Sequence, residues 1–235
     1  MKSWIRDFLT ILGAAIIPPF LIWLPFFFRI ESFWGIKLPQ NGMATIISNF
    51  DGPYYIVAAK SLYNPVEIEK FQFPLPNEYY AAHFPGFPLL IKAFAPILGY
   101  PWAMMVATLL TSVAALWFFY LLLKQTKFKN AALWLTLVFA VFPARWLIVR
   151  SIGSPEPLFM ASILACFYFF AKDKLWLAAV AGAIAMLTKS PGILLFAALF
   201  LAIIGPKIQE LFINPVKTLA KILPQLLPFI LIKLG

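Results

Sequence analysis

Apolar residues in this chain come in long blocks separated by short polar connectors. The first block runs from Phe8 to about Phe28, and others occupy about 101–123, 130–147, 155–171, 175–188, 191–205 and 218–234. The hydrocarbon core of a bilayer takes about 20 residues of helix, so these blocks predict roughly seven crossings. Pro18, Pro19 and Pro25 are expected to bend the first helix and to leave carbonyls for neighbouring helices to satisfy.

A long mixed segment, 29–100, interrupts the pattern. It carries Glu31, Asp51, Glu67, Glu69 and Glu78 and is rich in Pro, Tyr and Phe. It reads as a large loop on one side of the membrane. Within it, 53–63 has the character of an amphipathic helix. Residues 84–99 are apolar but short for a crossing and contain Pro85, Pro88, Pro96 and Lys92. That stretch is expected to lie in the interface rather than to cross.

Composition agrees with the pattern. The chain is 63% hydrophobic and 12% charged over 235 residues. A soluble domain of this size has too little interior to hide so much apolar surface. The expected fold is all-α: a single polytopic transmembrane helix bundle over 1–235, with 29–100 as a loop carrying interfacial helices and 101–235 supplying the remaining helices. The basic N-terminus, Met1 to Asp7, precedes an apolar block too long for a signal-peptide core and without a small-residue cleavage site, so it reads as an uncleaved first span. The single cysteine, Cys166, excludes an intramolecular disulfide. The apolar ending at Leu234-Gly235 is what a fragment, or a minimal version of a longer protein, would show.

The net charge of +10 changes the picture only through its distribution. Basic residues sit in the connectors: Lys124, Lys127 and Lys129, then Lys172 and Lys174, then Lys207 and Lys217. This is the pattern of cytoplasmic loops and not of a nucleic-acid surface, so no nucleic-acid partner is expected. With Lys2 and Arg6 cytoplasmic and 84–99 not crossing, all these clusters fall on the cytoplasmic side. The 29–100 loop, the 148–154 connector and Thr188-Lys189-Ser190-Pro191 then face outward, to periplasm, cell exterior or organelle lumen.

The candidate chemistry lies on that outer side. Ionisable groups beside hydrocarbon are costly and therefore mark candidate sites. Asp51, in Asn49-Phe50-Asp51-Gly52-Pro53-Tyr54-Tyr55, suits a general base, although an acidic residue before Gly-Pro also suits a plain helix cap. Glu156, in Ser154-Pro155-Glu156-Pro157, sits at the mouth of a predicted span, where a helix dipole also favours an acid. Lys189 is a cation against the topological trend and suits an anion such as phosphate, or simple snorkelling to the interface. Arg145 and Arg150 add positive charge on the same side. Tyr54 and Tyr55 are candidates to line a sugar site, and His83, the single histidine, is a candidate lining or interfacial residue. No Cys/His cluster, Walker, Rossmann or HExxH pattern is present. No metal ligands are assigned, and a divalent metal is left open. Carboxylates and cations beside a bilayer suit group transfer from a lipid-linked phosphate donor.

These segments resemble the motifs of the GT-C class of multi-helix glycosyltransferases, which use polyprenyl-phosphate sugars. The nearest likeness is to the GPI mannosyltransferase (PIG-V-like) group and its bacterial relatives. Asp51-Gly52-Pro53-Tyr54-Tyr55 is similar to that family's Asp-x-x-x-Tyr motif in the first outer loop. His83-Phe84-Pro85-Gly86-Phe87-Pro88-Leu89-Leu90 is similar to Phe-x-Pro-x-x-Pro, Ser154-Pro155-Glu156-Pro157-Leu158-Phe159 to Tyr-x-Glu-Ser-Leu-Phe, and Ala185 to Gly192 to Leu-Thr-Arg-x-x-Gly. The departures are Phe50 for Trp, Pro157 for Ser and Lys189 for Arg, and the family's later helices are missing.

The resemblance implies a seven-helix core with a large first outer loop, and an inverting hexosyltransferase of the mannosyltransferase kind, acting in the cell envelope. Asp51 and Glu156 would be the catalytic carboxylates, and Lys189, with Arg145 or Arg150, would hold the donor phosphate. The partners implied are a polyprenyl-phosphate-linked sugar, membrane lipid, and an acceptor glycan, lipid or protein. From the residues alone, a membrane transporter or lipid flippase using the same outer charges is the alternative, followed by a non-catalytic membrane scaffold. The lack of an internal repeat counts against transport.

Overall fold

The computed structural model describes residues 3–234, so Lys2 of the basic N-terminus and the terminal Gly235 lie outside it. The regular secondary structure of the described chain is helical except for one small ribbon. Helix α1 spans Ser3–Phe27 and leads into the two-stranded antiparallel ribbon β1 (Ser32–Phe33) and β2 (Ile36–Lys37). Four short helices follow: α2 (Met43–Ile47), α3 (Gly52–Ser61), α4 (Pro65–Glu69) and α5 (Asn77–Ala81). Then come α6 (Gly86–Leu98), α7 (Tyr100–Leu123), α8 (Ala132–Val141), α9 (Ala144–Arg150), α10 (Glu156–Phe170) and α11 (Leu175–Thr188). The chain closes with α12 (Gly192–Ile204), a 3-10 turn, α13 (Ile208–Ile213) and α14 (Pro215–Leu234).

Trp4–Phe27, Tyr100–Leu123, Gly192–Ile213 and Pro215–Ile232 are long and apolar enough to cross a bilayer, and α8 with α9 makes a fifth candidate if that bent pair is one span. The protein is therefore read as a multi-pass membrane protein. Seven full-length crossings are not what the helix lengths give. Helices α10 and α11 have 15 and 14 residues, and α6 has 13. Each falls short of the ~20 residues that a ~30 Å core asks of an untilted helix.

The block read as 130–147 is a broken helix. Pro143 has no amide hydrogen and drives Phe142 into extended backbone (φ −125°, ψ 136°), so α8 stops there and α9 leaves at 75°. Helix α9 also takes up the first part of the expected 148–154 connector.

Prolines act differently in α1, which runs unbroken through Pro18, Pro19 and Pro25. Pro18 and Pro19 lack the amides that would bond to the carbonyls of Ala14 and Ala15. Arg150 supplies the donors instead, at 3.2 Å from Ala14 O and 2.8 Å from Ala15 O. It donates as well to Ala140 O, near the end of α8. Neighbouring structure thus satisfies the carbonyls that Pro18 and Pro19 free, as non-aqueous surroundings demand.

Helix α7 is the centre of one half of the molecule, with α1, α3, α6, α8 and α10 packed around it. Helix α11 is the centre of the other, against α10, α12 and α14. Its buried residues are small: Ala178, Ala179, Ala181, Gly182, Ala185 and, at its end, Thr188. Small side chains let helix backbones approach closely, which is how helices gain packing energy where no water drives them together.

Candidate functional site

The site forms where α3, α9, the 151–155 connector and the junctions at α10 and α11 meet. Phe50 adopts a left-handed backbone (φ 48°), and the chain turns through Asp51 into α3. Asp51 occupies the cap position, yet its side chain makes no capping hydrogen bond, so the plain-cap reading leaves the carboxylate unaccounted for. The side chain is 54% exposed, and Oδ2 stands 3.9 Å from His83 Nε2.

His83 is buried. Its Nδ1 lies 3.3 Å from the Tyr79 carbonyl, and Tyr63 donates its hydroxyl to the His83 carbonyl at 2.5 Å. Pairing with a carbonyl requires a proton on Nδ1, which turns the lone pair of the neutral ring's Nε2 toward Asp51. Burial holds the imidazole below its ordinary pKa, against the opposing pull of Asp51 and the Tyr79 carbonyl. The Tyr55 ring packs edge-on to it at 4.7 Å. Burial, with Glu156 and Asp51 nearby, pushes the Tyr55 hydroxyl well above the usual phenol range, so it stays a neutral donor.

Glu156 begins α10. Ser154 Oγ donates to its Oε2, and Lys189 Nζ lies 2.6 Å from Oε1. The Ser154 amide is tied to Thr108 Oγ1 on α7 at 3.3 Å, and Trp23 of α1 donates to the Ser151 carbonyl at 2.6 Å. The connector carrying Glu156 is thereby pinned at both ends. Lys189 ends α11, which packs against the start of α6. A Cβ on Gly86 would stand 2.7 Å from Thr188 Oγ1 and 2.8 Å from Leu187 O, so only glycine permits this approach.

These elements enclose a cavity of about 380 Å³. Its wall includes Phe50, Asp51, Tyr55, Arg145, Ser154, Glu156 and Lys189, backed by Ile148, Val149 and Ile152. A second cavity, of about 280 Å³, shares Tyr55 and Lys189 and adds Ala82, Phe84, Thr188, Ser190 and Pro191. Tyr55 and Lys189 thus line both cavities.

The structure brings Asp51, Tyr55, Arg145, Glu156 and Lys189 to one cavity and places His83 directly behind Asp51. Three expected residues do not line it: His83, expected as a lining residue, is buried behind Asp51, and Tyr54 and Arg150 fall elsewhere. Tyr54 packs into an aromatic cluster with Phe73, Tyr79 and Tyr80 and does not reach the cavity wall. Arg150 is fully buried, and both of its terminal nitrogens donate to backbone carbonyls, leaving only Nε without a partner, so the phosphate-binding role expected of it is corrected to a structural one. Ser154 is the contact that motif reading missed as a functional residue. Its signal was position: a hydroxyl two residues before an acid at a helix start reaches that carboxylate. Among the described residues, no three His, Cys, Asp or Glu side chains come together to hold a metal ion.

No protein-family model, curated protein or solved structure matches this chain. The likeness to the glycosyltransferases therefore rests on the four sequence motifs.

Chemically, the cavity pairs a half-exposed carboxylate with an exposed arginine and an ion-paired lysine. Such a site can take an anion at one end and a proton at the other.

Proposed function

We propose that the protein is a membrane glycosyltransferase that moves a hexose from a polyprenyl-phosphate donor to an acceptor hydroxyl, with inversion. One observation supports the reading above the rest. Asp51, Glu156 and Lys189 stand far apart in sequence, in separate motifs, yet line one cavity of about 380 Å³. A further motif, around His83 and Gly86, packs against that cavity's wall.

In this reading Asp51 takes the proton of the acceptor hydroxyl as its oxygen attacks the anomeric carbon. The bond from that carbon to the phosphate oxygen breaks, and polyprenyl phosphate leaves with the bonding electrons. Lys189 and Arg145 offset the charge that develops on the leaving phosphate. Glu156 holds Lys189 in place before the donor arrives. The two cavities that share Tyr55 and Lys189 would take donor and acceptor. Helices α10 and α11 complete a seven-crossing arrangement together with α1, α7, the bent α8–α9 pair, α12–α13 and α14. The N-terminus and the lysine clusters are then cytoplasmic, and the cavity opens on the outer face.

Turnover tests this directly. Protein in nanodiscs is given polyprenyl-phosphate mannose and, separately, polyprenyl-phosphate glucose. Sugar release or transfer by the wild type is expected, with Asp51→Asn losing it while retaining its unfolding midpoint. A positioned general base contributes roughly 10²–10⁴-fold, so the loss is expected to be at least of that size. Equal turnover by Asp51→Asn removes the base. Absence of donor binding by both proteins favours a transporter or a scaffold.

A further inference from the structure

Helix α1 does not end in a simple turn. Every residue from Phe27 to Lys37 is exposed, and this stretch folds into the β1–β2 hairpin. Its turn is Trp34-Gly35, with φ 51° and 77°. A two-residue turn with both φ values positive is ordinarily made from Asn and Gly, which tolerate that backbone. A tryptophan there is a conformational outlier, and such outliers persist where something else rewards the side chain's position.

The position achieved is full projection. Trp34 is 90% exposed, and the Phe33 ring stacks on it at 5.0 Å and 21°. Ile36, opposite Phe33 in the ribbon, is exposed as well. The base of the hairpin is closed by polar contacts. Gln40 donates to the carbonyls of Ile30 and Leu38, and the Leu38 amide donates to Glu31 O. Polar groups are therefore paired at the base while the apolar ones are pushed to the tip. A ribbon of two-residue strands has little stability of its own and needs a surface to lie on.

We propose that this hairpin is a membrane anchor, seating Phe33, Trp34 and Ile36 in the headgroup region of the bilayer that α1 crosses. Three features select lipid over a protein partner. The hairpin follows a candidate span within a few residues, so its height is set by where α1 leaves the membrane. The exposed apolar surface is continuous along the chain, from Phe20, Leu21 and Leu24 of α1 through Phe27, Phe28 and Ile30 to the tip. Tryptophan is the side chain that favours the membrane–water interface, and Arg29 and Lys37 flank the ribbon as counter-charges for lipid phosphates, with Glu31 the one opposing charge there. Anchoring has a structural consequence. Arg29 lies against Gly42 at the start of the segment that leads through α2 to Asp51, so the hairpin fixes the first loop's height above the bilayer.

The test places a nitroxide label on Ile36→Cys in the full chain, in nanodiscs of phosphatidylcholine with phosphatidylglycerol. Cys166, the one native thiol, is buried, and the unsubstituted protein gives the labelling background. Oxygen concentrates in the bilayer and a nickel chelate in water, so the ratio of their collision rates reads depth. The label at position 36 is expected to favour oxygen over nickel relative to the same label on exposed Glu78→Cys, and adding Trp34→Ser is expected to pull the ratio back toward that control. A ratio equal to the Glu78→Cys control means that the tip stands in water and overturns the proposal. Low access to both reagents with spin–spin broadening means that a second copy covers the tip, and overturns it as well.

Discussion

The guanidinium of Arg150 donates to the carbonyl of Ala15, 2.8 Å away and on a helix 135 residues earlier in the chain. That carbonyl is free because Pro19 has no amide to offer it. The Ala14 carbonyl, freed by Pro18, receives the same guanidinium at 3.2 Å. The arginine and the two prolines therefore form one unit, and they should behave as one in mutagenesis. Replacing Arg150 by Met orphans buried carbonyls at about 1–3 kcal/mol each, so its unfolding midpoint should fall sharply. In a Pro18→Ala, Pro19→Ala background the helix bonds its own carbonyls, and the same replacement should cost less by about 1–3 kcal/mol. Detergent-titrated unfolding of the four proteins checks this. Strict additivity would mean that the contacts carry no stability.

Arg150 also shows what the sequence hides. Arg145 and Arg150 look alike along the chain, as two cations beside one apolar block. On α9 they point about 140° apart, at roughly 100° per residue. One faces the cavity and the other the core, and only the packing of α1 decides which. The break after α8 was legible in principle at Phe142-Pro143, but the unbroken apolar run concealed it. Long apolar blocks matched α7 and α11 nearly to the residue, whereas α1 begins five residues and α14 three residues before its block, because a helix runs on into polar sequence that hydropathy does not mark. Asp51 was ambiguous for a local reason. Its sequence context suits a cap, and only the missing side-chain bond separates the two readings.

His83 gives a pH prediction. Burial lowers its folded-state pKa below the ordinary value of about 6.5. Between these two values the unfolded chain binds more protons than the folded one, so stability rises with pH. Acidification from pH 6.5 downward should therefore destabilise the protein, and His83→Gln should flatten that part of the curve. Asp51 opposes the shift, so Asp51→Asn should depress the His83 pKa further. Because the chain has one histidine, a selectively labelled sample gives a single ring signal to titrate. An unchanged His83 titration in Asp51→Asn would show that the two groups do not communicate.

Gly86 tests how tightly the cavity depends on the α6–α11 contact. A Cβ there meets the Leu187 backbone, which cannot swing aside as a side-chain tip can. Gly86→Ala should cost about 1–3 kcal/mol in stability, the usual range for overpacking. It should also move Lys189 relative to Glu156 and so weaken donor binding. Loss of stability with donor affinity unchanged would uncouple this contact from the site.

Lys189 and Glu156 set the electrostatic state of the empty cavity. At 2.6 Å the carboxylate occupies the lysine that the proposed function assigns to phosphate. Both side chains are about one-third exposed, so the pair is partly screened and can open without the penalty of a fully buried one. An arriving phosphate has to share Lys189 with Glu156 or displace it. Glu156→Gln removes the competing charge while keeping most of the shape. It should tighten binding of polyprenyl phosphate by about tenfold, or roughly 1.4 kcal/mol. Lys189→Met should do the reverse and leave Glu156 without its cation. If Glu156 only holds Lys189 before the donor arrives, Glu156→Gln should keep turnover at saturating donor. If it also orients the acceptor, turnover should fall although binding improves. Binding measured by titration of each variant in nanodiscs, followed by turnover at saturation, separates these outcomes. Equal affinity in wild type and both variants would place the phosphate away from Lys189.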